Sequence, residues 1–252
     1  MKRSDELIQE NTVAERLAVG ISRIFQRGFI EKLRVYCKGN VLDVGGRDYF
    51  LRVRDEVDFD FWTCLEYDED MLLRLNDPRY ECVHGDGCDM FFDDESFDTV
   101  INNNVLEHVF EPVAMVNEIA RVLKPSGVAL FVIPQTADVH MAPYNFHNFT
   151  RFWIIEVMKR AELEIVELVP TGGVWRTIAS RSVLFFWHAF RAKGYYIEGV
   201  KRPWTFYLLF PLMALHAVVT VPVAMLLSLG DLVEEATGHT VVVRKAARFS
   251  PD

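Results

Sequence analysis

Three acidic side chains stand where apolar, strand-like runs give way to small or polar residues. They are Asp43 in Asn40-Val-Leu-Asp-Val44, Glu66 after Phe61-Trp-Thr-Cys-Leu65, and Asp86 in Gly85-Asp86-Gly87. An acidic residue closing the second run, about 20 residues beyond the first, can accept hydrogen bonds from both hydroxyls of a ribose. Asp86 can accept one from an adenine amino group. Acidic residues are common in loops, so one such stop means little; three on consecutive runs point to a nucleoside-like ligand. Asn102-Asn103-Asn104 is a further polar stop, able to touch the same ligand or to satisfy backbone groups at a strand end.

Two histidines could move protons. His108 follows Glu107 just after the fourth run, and either faces the ligand or is held by neighbouring backbone at the start of a helix. His147 lies in Tyr144-Asn-Phe-His-Asn-Phe-Thr150-Arg151, and is the preferred general base. The alternative makes that stretch a lid whose aromatics pack together. Cys37, Cys64, Cys82 and Cys88 form no CxxC pair, and no Cys/His cluster has zinc-like spacing, so no metal is expected. Reduced cysteines in a cytosolic protein are the natural reading. Met1 to Arg16 is polar and charged, unlike a signal peptide.

The elements that must position these groups follow from periodicity. Helical spacing runs through Leu7, Val13, Leu17, Ile21, Ile24 and Phe25, then Phe29, Ile30 and Leu33, with Gly20 and Gly28 suggesting two helices. Strands are predicted at 40–44, 61–65, 80–84, 97–101, 128–133 and 163–169. Helices are predicted at 68–75, 112–123 and 153–161, the second stopped by Lys124-Pro125-Ser126-Gly127 and the third N-capped by Thr150. Strands alternating with helices predict an α/β, Rossmann-like, doubly wound sheet with its ligand at the strands' C-terminal ends. The domain organisation expected is a helical cap at 1–36, a core at 37–169, an apolar insertion at 170–238, and a last core strand with tail at 239–252. A formal net charge of −9 argues against general affinity for nucleic acid.

These motifs resemble those of class I S-adenosylmethionine-dependent methyltransferases. The resemblance rests on Val41-Leu-Asp-Val-Gly45, Glu66, Gly85-Asp86, Phe97-Asp98, Val105-Leu-Glu-His-Val109 and Arg121-Val-Leu-Lys-Pro-Ser-Gly127. It is closest to the small-molecule branch that includes quinone-biosynthesis and polysaccharide-cluster enzymes, and covers roughly 40–134. It implies a seven-stranded sheet with the last strand antiparallel, and S-adenosylmethionine as cofactor. By that likeness Asp43, Gly45 and Gly46 flank the methionyl part, Glu66 with Tyr67 holds the ribose, Asp86 with Gly87 meets the adenine, and Asn103 or Asn104 lies near the methionyl moiety. Quinone O-methyltransferases carry a related acid-x-x-Glu-His pattern associated with a divalent metal. The first acidic position is here Asn104, a poorer ligand for a hard cation. A second departure is Arg47 and Tyr49 at positions where the family's turn normally has further glycines.

From Pro203 to Leu229 no residue carries a formal charge. As a straight helix this run would extend about 40 Å, longer than a ~30 Å hydrocarbon core. Pro211 and Pro222 can each kink or end a helix. Beyond it, His239-Thr-Val-Val-Val-Arg244 reads as a strand, which a single membrane crossing would separate from its sheet. The insertion must therefore return, as a re-entrant or interfacial hairpin, or stay on the protein. Trp175, Trp187, Tyr195, Tyr196 and Trp204 interleave with Arg176, Arg181, Arg191, Lys193, Lys201 and Arg202, as in interfacial anchors. Ser182 to Phe190 adds a short aromatic helix.

The expected function is methyl transfer to an oxygen of a small-molecule, glycan or lipid-linked acceptor. Residues 175–229 would touch the inner face of the cytoplasmic membrane. Two alternatives stay open: a non-catalytic membrane-associated scaffold, motivated by Arg47 and Tyr49, and a soluble homodimer joined through the apolar segment.

Overall fold

The computed structural model describes residues 28–189 and 202–247. The expected helical positions from Leu7 to Phe25 lie outside them, as do Arg191, Lys193, Tyr195, Tyr196 and Lys201. Seven strands form one sheet: β1 (Asn40–Val44), β2 (Phe61–Glu66), β3 (Tyr80–His84), β4 (Phe97–Asn103), β5 (Leu123–Pro134), β6 (Leu163–Thr171) and β7 (Gly238–Lys245). Their order is β3-β2-β1-β4-β5-β7-β6, with β7 antiparallel to both neighbours and the other pairs parallel.

A parallel sheet covered on both faces needs strands apolar on both sides. The strand β1 shows this: Val41 enters one core, and Leu42 and Val44 the other. On the first face, Leu42, Leu65, Val100 and Phe131 pack under α3 (Pro112–Val122) and α4 (Arg151–Arg160), through Met115, Ile119, Ile154 and Met158. On the second, Val41, Trp62, Ile101 and Leu130 pack under α1 (28–36) and α2 (Tyr49–Val53), through Phe29, Leu33, Phe50 and Val53. Each fully buried side chain of this size contributes about 1.5–3 kcal/mol.

Several sequence expectations are corrected. The helix expected at 68–75 is a single 3-10 turn at Glu69–Met71. Asp68 caps it by accepting from Asp70 N, and with Asn76, Asp77 and Pro78 following, no helix propagates. Residues 124–127 do not form a separate helix stop, because the chain leaves α3 at Val122 directly into β5, with Ser126 at φ 64°. The short helix α2 went unforeseen, since Tyr49 and Phe50 sit in what reads as a glycine-rich loop. Thr150 does cap α4, accepting from Trp153 N at 3.3 Å.

The insertion is a helical hairpin. The helices α5 (Val174–Ala189) and α6 (Trp204–Leu227) pack on each other between β6 and β7. The segment expected as a short helix from Ser182 belongs to α5. Neither proline ends α6: Pro211 and Pro222 both lie inside it. Within α6 only Ala217 and Ala224 are buried, whereas Leu208, Leu212, Leu215, Val218, Val219 and Leu226 are exposed. The helix is long and apolar enough to cross a membrane, with 11% of its most apolar window buried.

Candidate cofactor and acceptor site

The C-terminal ends of the parallel strands bring the predicted acidic stops to one edge. Asp43, near the end of β1, and Glu66, the last residue of β2, lie on adjacent strands, with Asp43 beside Cys64 in the register. Asp43 is 1% exposed, and neither of its carboxylate oxygens has a hydrogen bond of good geometry, although the Trp62 indole N–H favours its charged form. Burial pushes its carboxyl up to about 8, and the nearby Glu66 charge adds to the shift. Glu66 is buried as well. Its Oε1 accepts a long bond from Asp68 N at 3.4 Å, Oε2 has no partner, and burial raises its carboxyl above the usual range. Orphaned buried carboxylates cost on the order of 1–3 kcal/mol or more each, a cost that a donor-rich ligand would offset.

The turn after β1 supplies a cradle. Gly45 takes φ 71°, and its N–H donates to Leu65 O at 2.7 Å. A β-carbon on Gly46 would lie 1.9 Å from Asp43 Oδ2. Arg47 adopts φ 48°, so the position expected to hold glycine does require the left-handed region, at a cost of about 1–2 kcal/mol for arginine. Arg47 is exposed, and its charge acts on both Glu66 and His108. Tyr49 needs no glycine, because it starts α2 with its ring in the second core.

The remaining predicted ligand residues reach the same edge with varied exposure. Asp86 is exposed after β3 and accepts from Cys88 N at 2.8 Å, while Gly87 is buried and Tyr67 is 70% exposed. Asn103 ends β4 and accepts from Asn104 Nδ2 at 3.0 Å; Asn104 has φ 55°. Asn102 is the buried member, and its Oδ1 lacks a partner. A recess of about 400 Å³ lined by Lys38, Ser126 and Arg244 lies at the opposite end of the strands and holds none of these groups.

Next to this edge the structure assembles a group that spacing did not reveal. Glu107 is 1% exposed with both oxygens unpartnered, and burial raises its carboxyl to about 7. His108 Nε2 stands 3.8 Å and His140 Nε2 3.9 Å from Glu107 Oε1. The two imidazoles meet edge to face at 4.7 Å. Burial lowers the His108 pKa, favouring the neutral ring. His140 comes from the loop after β5, too far along the chain for any ligand spacing to flag it. His147 is brought near through its backbone, with its N–H donating to Glu107 O at 3.3 Å. Its ring turns aside, with Nε2 at 3.4 Å from Phe110 O and the ring tilted against Phe149.

Strand order, the glycine cradle and the orphaned carboxylates define a class I S-adenosylmethionine-dependent methyltransferase fold. Residues 42–131 match the family model described as a methyltransferase domain. A probable S-adenosylmethionine-dependent methyltransferase of Mycolicibacterium smegmatis is 29% identical over 109 residues, 40% of this chain and 42% of that protein. A demethylmenaquinone methyltransferase of Clavibacter sepedonicus is 49% identical over 51 residues, 20% of this chain and 21% of that protein. The chain thus matches less than half the length of these curated relatives. Among solved structures, an S-adenosylmethionine-dependent methyltransferase of Mesorhizobium loti shares the fold, at TM-score 0.56 and 13% identity over 88% of this chain and 98% of that one.

Proposed function

We propose that this protein transfers a methyl group from S-adenosylmethionine to an oxygen of a lipid-borne acceptor at a membrane surface. The observation that carries the cofactor reading is the pair of buried carboxylates with unpartnered oxygens, Asp43 and Glu66, on neighbouring strand ends beside the Gly45-Gly46 cradle. When bound, the cofactor supplies an electrophilic methyl group on a sulfonium. Glu66 Oε2 would accept from the ribose hydroxyls, and Asp43 would favour the positively charged methionyl end. The exposed Asp86 would take the adenine amino group, and Asn102 Oδ1 offers one more buried acceptor. Methyl transfer from a sulfonium is already favourable, so the residues chiefly align the two reactants. The Glu107–His108–His140 group would handle the acceptor's proton.

Membrane action is supported by where the hairpin emerges. The strand β6 runs parallel to β5, so α5 leaves the sheet at the edge that carries the site. Arg181 of α5 donates to Thr136 O, and Gln135 and Thr136 N–H groups donate to Thr237 O. These contacts tie the hairpin to the loop that bears His140 and His147. An exposed apolar helix about 36 Å long needs a partner, and a bilayer suits one that is apolar all round. Trp175, Arg176 and Arg181 of α5, with Arg202 just before α6, give the hairpin a mix that favours anionic headgroups. Since β7 pairs with β5 and β6, the hairpin must re-enter rather than cross once, and the protein would lie on the cytoplasmic face. The local match to a demethylmenaquinone methyltransferase supports an acceptor with a lipid tail.

Calorimetry with S-adenosylhomocysteine tests the cofactor reading: micromolar binding lost in Glu66→Ala supports it, and no heat in the wild type supports the scaffold alternative. Transfer of labelled methyl groups into fractionated lipid extracts tests the acceptor. Gel filtration without detergent that gives a clean dimer, with no binding to vesicles, would favour the soluble reading.

A further inference from the structure

We infer that Glu107, His108 and His140 bind a divalent first-row transition-metal ion. The argument starts from tautomers. His108 Nδ1 is bonded to Tyr144 O, and His140 Nδ1 lies 2.8 Å from Asp138 O. A carbonyl only accepts, so each Nδ1 carries the hydrogen, and each neutral ring leaves a bare lone pair on Nε2. Both Nε2 atoms lie within 4 Å of the same oxygen of Glu107. Two lone pairs facing a carboxylate oxygen at 3.8 and 3.9 Å repel it unless a proton on Glu107 or a metal ion stands between them.

Backbone carbonyls that fix the distal nitrogens are the usual outer support of metal-bound histidines. The three ligand atoms lie within 4.8 Å of one another. Around an ion at about 2.1 Å from each ligand, neighbours are roughly 3.4 Å apart, so the two nitrogen–oxygen distances must contract by about half an ångström. The second, independent observation is Glu107 itself, 1% exposed with both oxygens unpartnered. Two imidazoles and one carboxylate suit Mn²⁺, Fe²⁺, Co²⁺ or Zn²⁺ better than Mg²⁺ or Ca²⁺, and leave coordination positions open.

Asn104 takes no part: its amide donates to Asn103 Oδ1. The ligand set therefore depends on His140, which only the fold delivers. An acceptor hydroxyl could take an open position, where the ion would lower its pKa. That last role rests on the proposed methyl transfer; metal binding itself does not.

The test uses the full-length protein, stripped with chelator and titrated with Co²⁺ and Mn²⁺. Calorimetry should give one ion per chain, and Co²⁺ should show the visible absorption of a nitrogen–oxygen site. His140→Ala should weaken binding roughly tenfold or more, and Glu107→Gln likewise, while His216→Ala on α6 leaves it unchanged. His140 sits on a loop, so its variant is expected to keep the wild-type circular dichroism and decides the matter should Glu107→Gln fail to fold. Absence of stoichiometric binding, or equal affinity in His140→Ala, overturns the inference. Because binding is read without cofactor or acceptor, its failure is separate from any failure of methyl transfer.

Discussion

Asp43 Oδ2 lies directly beneath Gly46, so close that a β-carbon there would stand 1.9 Å away. The buried carboxylate and the glycine are one device: the missing side chain is the space that the acid occupies. Gly46→Ala must displace either the turn or the carboxylate, at roughly 1–3 kcal/mol as for other overpacked sites. The expected outcome is a lower melting temperature together with lost S-adenosylhomocysteine binding. A variant that melts and binds like the wild type would contradict this geometry.

The same carboxylate should make stability depend on pH. Burial raises Asp43 from 3.8 to about 8, so between those values the folded protein holds a proton that the unfolded chain has released. Stability is therefore expected to fall as pH rises across that window. Asp43→Asn removes this term and should flatten melting temperature against pH between about 5 and 8. Glu107 contributes in the same direction and remains in the variant. A positively charged cofactor favours the ionised acid, so binding near neutral pH should release protons, seen as a calorimetric enthalpy that changes with the buffer's ionisation heat.

Vesicle binding should depend on the exposed face of α6. Leu208 and Leu215 are 65% and 61% exposed, so Leu208→Asp with Leu215→Asp should leave the fold intact. Each leucine is worth about 1.5–3 kcal/mol on burial, which makes a loss of at least about a hundredfold in partitioning the expected result. Co-sedimentation with vesicles containing anionic lipid measures it. Undiminished binding would move the contact to another surface.

A smaller effect is expected at the α4 N-terminus. Thr150→Ala removes the side-chain acceptor for Trp153 N, at a cost of about 1 kcal/mol. Thermal melting should fall by roughly 2–4 °C, with S-adenosylhomocysteine affinity unchanged because the cap lies outside the carboxylate site.

How much was legible in the chain varies with the range of the interaction. Strands β1 to β3 and the acidic stops at Asp43, Glu66 and Asp86 are encoded by short apolar runs and the residue that ends each one. The last strand was legible from His239-Thr-Val-Val-Val alone. Helix 68–75 failed because acidic and apolar spacing mimicked a helix, while a local Asx turn and Pro78 won. In α6 the two prolines looked decisive, yet the helix runs through both: losing two backbone hydrogen bonds does not outweigh a long helix whose hairpin partner is α5.

The order of strands and the polar edge are consequences of local pattern, since alternating elements of this length can wind in few ways and place loop residues at one rim. What only the folded chain decided is which distant side chains meet. His140 reaches Glu107 and His108 because β5 returns its following loop over the end of β4, and Arg181 reaches Thr136 because β6 and β7 hold the hairpin against that loop. Such meetings depend on register and strand order summed over the whole sheet, and no run of neighbouring residues carries that sum.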